Sequence, residues 1–187
     1  MSFTAGAAEL TPSDLVKSTA DEVLSIIRTT KDKRMLRELV EKKVLPHFDF
    51  RLMTQIAVGQ HWRQATPAQQ KALEDAFRTL LVHTYTASLA VASTGKESVD
   101  VRPLDLKPSE SDAIVRSMVR NPSRAPISVD YRMARTAGGW KVYDVIVENL
   151  SLVTNYRSSF ASEIRRSGIE GLVRALDSKN RELAQSA

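Results

Sequence analysis

The stretch GGWKVYDVIVENLSLVTNYRSSF, residues 138–160, decides how the chain is read. It opens on a Gly-Gly pair, which suits a hairpin turn because glycine takes positive φ without steric cost. Trp140, Val142, Tyr143, Val145, Ile146 and Val147 follow, and β-branched and aromatic residues at that density read as a strand. From Leu152 the apolar spacing changes from two to about four: Leu152, Tyr156, Phe160, Ile164. The chain therefore passes from strand to helix within a few residues. Simple alternation puts Tyr143, Val145 and Val147 on one strand face and Trp140, Val142 and Ile146 on the other. Both faces are then apolar. Either a bulge near Asp144 resets the alternation or the strand is central and covered twice.

Upstream lie three more strand-like runs. Val99, Val101, Leu104 and Leu106 alternate, with Pro103 pointing to an edge or a bulge. Ala113, Val115, Ser117 and Val119 alternate against Ile114, Arg116, Met118 and Arg120. After an Asn121-Pro122-Ser123 turn, Ile127, Val129, Tyr131 and Met133 share one face. Four strands with short turns predict an antiparallel meander.

Helices flank it. Thr11-Pro12-Ser13-Asp14 reads as a cap opening a helix that carries Leu15, Val16, Val23, Leu24, Ile26 and Ile27. Thr29-Thr30-Lys31-Asp32 breaks it, and a second helix runs to about Pro46. FDFRLMTQIAVGQHW (48–62) predicts a short helix ended by Gly59. Thr66-Pro67-Ala68-Gln69 opens a long one that ends near Gly95. Ser167-Gly168-Ile169-Glu170, a third capping-box pattern, divides two C-terminal helices. Helices, then sheet, then helices is the order of an α+β fold. The reading is one domain over 10–185, helical in 10–95 and 150–185, with the sheet in 97–149. Residues 1–9 and 186–187 are expected to be flexible ends.

The composition narrows the chemistry. The 187 residues are 42% hydrophobic and 26% charged, with 6% aromatic, so a core is mostly aliphatic. The charge of +5 permits an anionic partner without choosing one. The absence of cysteine excludes disulfides, thiol catalysis and Cys-based zinc sites. No apolar run is long enough to span a membrane, and MSFTAGAAEL lacks the basic-then-apolar order of a signal peptide. His47, His61 and His83 have no metal-ligand spacing, and no phosphate-loop, dinucleotide or nucleophile-elbow motif occurs. Asp144 and Glu148 read as strand-end acids paired with Arg or Lys in water; the alternative is a base of raised pKa in an apolar cavity. Lys42-Lys43 and Arg165-Arg166 read as solvated helix faces or as patches for anionic lipid, a membrane surface or an acidic protein partner. The apolar stripes read either as closed core or as the walls of an apolar cleft, which periodicity does not separate.

Residues 44–89, VLPHFDFRLMTQIAVGQHWRQATPAQQKALEDAFRTLLVHTYTASL, and 142–176, VYDVIVENLSLVTNYRSSFASEIRRSGIEGLVRAL, together resemble the MlaC family of periplasmic phospholipid-binding proteins, also called toluene-tolerance auxiliary proteins. The likeness extends over roughly residues 10–185. It implies a twisted four-stranded antiparallel sheet, similar to nuclear-transport-factor-like sheets, wrapped by helices with acyl chains between the layers. It implies a monomeric periplasmic carrier whose signal peptide has been removed, with glycerophospholipid as ligand and no other cofactor. It implies two partners: an inner-membrane ABC transporter complex with an MCE-domain protein, and an outer-membrane lipoprotein–porin complex. No catalytic residues come with the family.

Strand parity and helical register then predict the lining: Met53, Ile56, Phe77, Leu80, Leu81, Tyr85, Val115, Ile127, Val129, Tyr131, Val145, Val147, Leu152, Tyr156, Phe160, Ile164, Leu172 and Leu176. With a bulge at Asp144 the last-strand members become Trp140, Val142 and Ile146. Two other readings stand beside the carrier. One is a basic protein-interaction module; the other is a cavity enzyme of the isomerase or dehydratase type using Asp130, Asp144, Tyr131 and Tyr143.

Overall fold

In a computed structural model that describes residues 9–186, the N-terminal cap forms as the sequence predicts. Thr11 Oγ1 accepts from the Asp14 N–H at 3.2 Å and opens α1 (Pro12–Thr29). Asp32 caps α2 (Lys33–Lys43), and the chain turns through Leu45–His47 around Pro46. Asp49 caps α3 (Phe50–Val58), which stops at Gly59, where φ is +66°. A 3-10 turn over Gly59–Gln64 leads to α4 (Pro67–Ala92). Its capping box is complete: the Gln69 N–H donates to Thr66 Oγ1, and the Thr66 N–H donates to Gln69 Oε1. The segments expected to be flexible lie outside the described residues except for Glu9 and Ser186. Glu9 accepts from Arg135 at 2.9 Å.

The sheet holds five antiparallel strands in sequence order: β1 (Ser98–Val101), β2 (Asp112–Asn121), β3 (Arg124–Thr136), β4 (Gly139–Val147) and β5 (Leu150–Ser151). The expected count of four is corrected by β5, two residues that pair with Val147 and Ile146. A strand that short carries no periodicity. Its hairpin turn is Glu148-Asn149, both at positive φ, 48° and 67°. Such turns usually announce themselves with glycine. The first strand is also shorter than its alternation suggests. It ends at Val101, two residues before Pro103, which has no N–H to offer a ladder, and Leu104 is exposed.

The bulge is present and settles the alternation of β4. Arg132 pairs with Asp144 and Met133 with Val142, so Tyr143 is the extra residue. Val142 therefore shares a face with Val145, because their partners Met133 and Tyr131 share one. Trp140, Val142, Val145 and Val147 form one apolar row, and Asp144 and Ile146 point the other way. Trp140 and Val142 thus join Val145 and Val147 instead of replacing them, and Ile146 is not in the row.

The C-terminal helix α5 (Arg157–Gln185) is two arms joined at Gly168, whose φ of 72° and ψ of 179° are not helical. The expected capping box does not form there, since Glu170 accepts from Gln69 of α4 at 3.0 Å. The second arm is docked further by Asn180, which donates to the Ala76 carbonyl at 2.9 Å. Gly171 is buried against Ser167, and a Cβ at Gly171 would overlap the Ser167 Cβ.

Gly168→Ala forces an L-residue into a region reserved for glycine, although nothing crowds the site. It should cost about 1–3 kcal/mol. Gly171→Ala, a clash in ordinary helical backbone, should cost about as much by overpacking. Urea unfolding midpoints measure both. A Gly168→Ala midpoint equal to the parent's would mean the break is not required.

Candidate functional site

The buried apolar side chains form three clusters. The first lies among α3, α4 and α5. Eight of the predicted lining residues are buried in it: Met53, Phe77, Leu80, Leu81, Phe160, Ile164, Leu172 and Leu176. Ile56, Tyr85 and Tyr156 pack against it, half-buried. Phe77 meets both Tyr156 and Phe160 edge-on, with centroids 5.2 Å apart. These helical residues touch one another. The second cluster joins α1 to the sheet: Leu15 and Val16 cover Ala113, Val115, Met133, Trp140 and Val142, and Tyr131 and Val145 pack at its margin. The third, Ile26, Ile27 and Leu36 with Val23 and Leu39, joins α1 to α2.

Register brings together the six predicted sheet residues. Val115 pairs with Tyr131, Tyr131 with Val145, and Val129 with Val147, while Ile127 continues the same parity of β3. All six therefore share the face on which α1 packs. Burial is uneven along that face. Val115 is fully buried, Val129, Tyr131, Val145 and Val147 are half-buried, and Ile127 is 38% exposed. The apolar face thus continues past the part that Leu15 and Val16 cover, toward the β2–β3 and β4–β5 turns. Leu152, also half-buried, follows β5 at the same end, its N–H donating to the Val145 carbonyl at 2.9 Å. This aliphatic, incompletely covered strip is the candidate site.

Polar groups frame it. Asp144 is 1% exposed and has no basic partner within salt-bridge distance among the described residues, which corrects the expectation of a water-bathed ion pair. Its carboxylate accepts from Ser151 Oγ at 2.6 Å and from the Val153 N–H at 3.2 Å. Those bonds hold β4 to the turn that starts α5. Nothing in its parity or neighbours in sequence marks it as buried; the bonded groups come from beyond the β5 hairpin. The Tyr85 hydroxyl is pushed well up, first by burial, then by neighbouring Tyr156, then by the Asp144 charge. These three groups therefore adjoin where α4, β4 and the start of α5 meet. Burial also raises Tyr131. Glu148 lies at the exposed turn and accepts from the Ser128 N–H. Burial lowers His47 and His83, with Lys141 and Arg37 respectively adding to it. No group of three metal-ligating side chains occurs among the described residues. None of their helices is long and apolar enough to cross a membrane.

At the turn end of the strip, Glu97 ties the elements together. It accepts from Ser93 Oγ, the Thr94 N–H, Thr94 Oγ1 and Asn121 Nδ2, at 2.7–2.9 Å. Arg28 of α1 reaches the Gly95 and Glu97 carbonyls at 3.0 and 2.8 Å. The end of α4, the end of α1 and the β2–β3 hairpin are thereby joined. Burial alone would raise the Glu97 carboxyl, but the hydrogen bonds outweigh it and hold its pKa at about 2.

Two surface depressions contain none of the predicted residues. One is an open groove of about 490 Å³ between α3, α4 and the β3–β4 hairpin. The other is a notch of about 90 Å³ lined by Lys33, Arg37 and His83 among others. The sequence reading missed the groove because its residues come from three separate segments and share no periodicity.

Helices laid on an open antiparallel sheet, with an aliphatic sheet face only partly covered, define an α+β protein built around an apolar strip. The chain belongs to the MlaC family: the profile described as MlaC protein matches residues 17–178. It is 22% identical over 173 residues to the intermembrane phospholipid transport system binding protein MlaC of Haemophilus influenzae, covering 89% of this chain and 80% of that one. It is 25% identical over 167 residues to the toluene tolerance protein ttg2D of Pseudomonas putida, covering 86% and 76%. A solved structure of a phospholipid-binding protein from Ralstonia solanacearum, in complex with a phospholipid, superposes with a TM-score of 0.83 at 36% identity. That match covers 94% of this chain and 99% of the other.

The Glu97 knot makes a pH prediction. A carboxyl whose folded pKa is about 2, against an ordinary 4.5, stabilises the fold fully above pH 4.5. That contribution is lost as pH falls from 4.5 to 2. The stability gap between the parent and Glu97→Gln should shrink across that window in acid unfolding followed by circular dichroism. A gap constant from pH 6 to pH 2 would remove Glu97 from this role.

Proposed function

We propose that this protein is a periplasmic carrier that binds the acyl chains of a glycerophospholipid and moves the lipid between the inner and outer membranes. One observation carries the reading: the phospholipid complex from Ralstonia solanacearum superposes over nearly the whole of both chains at 36% identity. The partly covered strip formed by Val129, Tyr131, Val145 and Val147 supports it, because it offers a tail a mostly aliphatic wall. An acyl chain leaving water gains roughly 0.8 kcal/mol per CH₂, so a carrier needs area more than polar contacts. A lining of Val and Leu suits flexible tails, and a head group can stay in water.

The helical members of the predicted lining are packed on one another, so tails that reach them must part α4 from α5. The two arms of α5 meet at the non-helical Gly168, and the Tyr85–Tyr156–Asp144 junction is where the bundle meets β4. The carrier works as a monomer and exchanges lipid with an ABC transporter complex containing an MCE-domain protein on one side and a lipoprotein–porin complex on the other. It has no phosphate-cradling loop of its own, so directional transfer draws its energy from such a partner. The enzyme reading loses support because Asp144 is committed to Ser151 and Val153.

Organic extraction of the purified protein followed by mass spectrometry should yield phospholipid in near-stoichiometric amount; none at all would overturn the carrier reading. Substitution separates wall from core. Val147→Glu places a carboxylate on the strip at a desolvation cost of about 2–4 kcal/mol when a tail lies over it, so lipid occupancy should fall tenfold or more with the fold kept. Leu81→Glu lies within the helical cluster and should cost stability first. Unchanged occupancy in Val147→Glu would move the tails off the strip.

A further inference from the structure

We propose that the groove between α3, α4 and the β3–β4 hairpin is a docking site for an acidic peptide segment of a partner protein, separate from the apolar strip. The groove measures about 490 Å³, within the usual size of a ligand site. Its aromatic floor is Phe48 and Phe50, stacked with centroids 6.0 Å apart and interplanar angle 22°. Both rings are half-buried, so part of their area is open for an occupant to cover.

The charges decide what fits. Four cations and three carboxylates line the groove: Arg51, Lys71, Arg78 and Lys141 against Asp49, Glu74 and Asp75. The carboxylates are already engaged. Asp49 accepts from the Leu52 N–H as the α3 cap, Glu74 faces Arg51 at 3.8 Å, and Asp75 pairs with Lys71. Arg78 and Lys141 have no carboxylate within salt-bridge distance among the described residues. The Arg78 guanidinium lies over the Phe50 ring, 5.5 Å from its centroid. That cation–π contact consumes no N–H, so the guanidinium keeps donors for a carboxylate. Lys141 gives one hydrogen bond to the Pro46 carbonyl at 2.6 Å and keeps two donors. An occupant with carboxylates for Arg78 and Lys141 and an apolar or aromatic side chain for the Phe48–Phe50 floor satisfies all four.

A bilayer surface is a poorer match. It is flat and offers anionic charge without a fixed pattern, whereas this site is concave and has Glu74 and Asp75 in its lining. A peptide can place its acids locally and avoid them. The groove also lies on the α3 and β3–β4 hairpin side, while the strip runs toward the β2–β3 and β4–β5 turns. Peptide docking here leaves the lipid site open.

The test uses the full chain, immobilised, with a phage-displayed library of random dodecapeptides. The expected result is enrichment of peptides combining Asp or Glu with Phe, Tyr, Trp or Leu. A synthetic peptide of the enriched sequence should bind with an affinity that falls with added salt. Arg78→Glu with Lys141→Glu should weaken it about tenfold or more. Arg78→Gln with Lys141→Gln, the milder variant, should weaken it less and guards against misfolding. Extracted phospholipid should be the same for parent and variants, so a failure here is distinct from a failure of the carrier reading. No acidic enrichment, or equal affinity for all three proteins, overturns the proposal. So does binding to phosphatidylglycerol vesicles that the charge reversal abolishes while peptide binding stays unchanged.

Discussion

A carboxylate with 1% exposure organises the turn from sheet to helix. Asp144 sits at the bulge of β4 and takes two hydrogen bonds from the segment that follows β5. A buried carboxylate is costly unless its oxygens are satisfied, and here one hydroxyl and one backbone N–H satisfy it. The geometry of those bonds sets where the last helix begins. That turn and the helix it opens bring Tyr156 and Phe160 against Phe77 of α4, closing the helical cluster. Because Ser151 also accepts from the Thr154 N–H, the same chain of bonds reaches into the first turn after the sheet.

The bulge has a second consequence. By inserting Tyr143 it lets one face collect Trp140, Val142, Val145 and Val147 from a strand whose plain alternation would have divided them. The face gains an unbroken apolar row, half of it packed under α1 and half left partly open. A sheet that buried this row completely would be a better core and a worse carrier. Burial along this face is deepest at one end, around Val115, Met133 and Trp140, and the less covered apolar area lies at the other. The Glu97 knot anchors that second end through polar bonds.

Much was legible in the chain order. The capping residues Thr11 and Thr66 place the starts of two helices within a residue, because a cap is a local bond between neighbours in sequence; Asp32 and Asp49 cap α2 and α3 in the same way, but the sequence reading does not mark them as caps. The parity of β2 and β3 was equally legible: Val115, Ile127, Val129 and Tyr131 do share a face. The reading failed where the evidence was short or non-local. β5 is two residues long, its turn uses Glu148 where glycine is usual, and Glu170 bonds to Gln69 across 101 residues instead of to its own helix start.

The sequence by itself determined the α+β order, the helix starts, the apolar faces and the membership in a family, since each depends on local backbone preferences or on matching residues along the chain. Only the tertiary structure decided which apolar residues touch protein and which remain partly uncovered. Periodicity reports that Leu81 and Val147 both turn inward, but not what meets them there. Leu81 meets Phe77's cluster from three helices; Val147 has Val129 beside it and incomplete cover above. That difference is made by segments far apart in the chain, and no local pattern contains it.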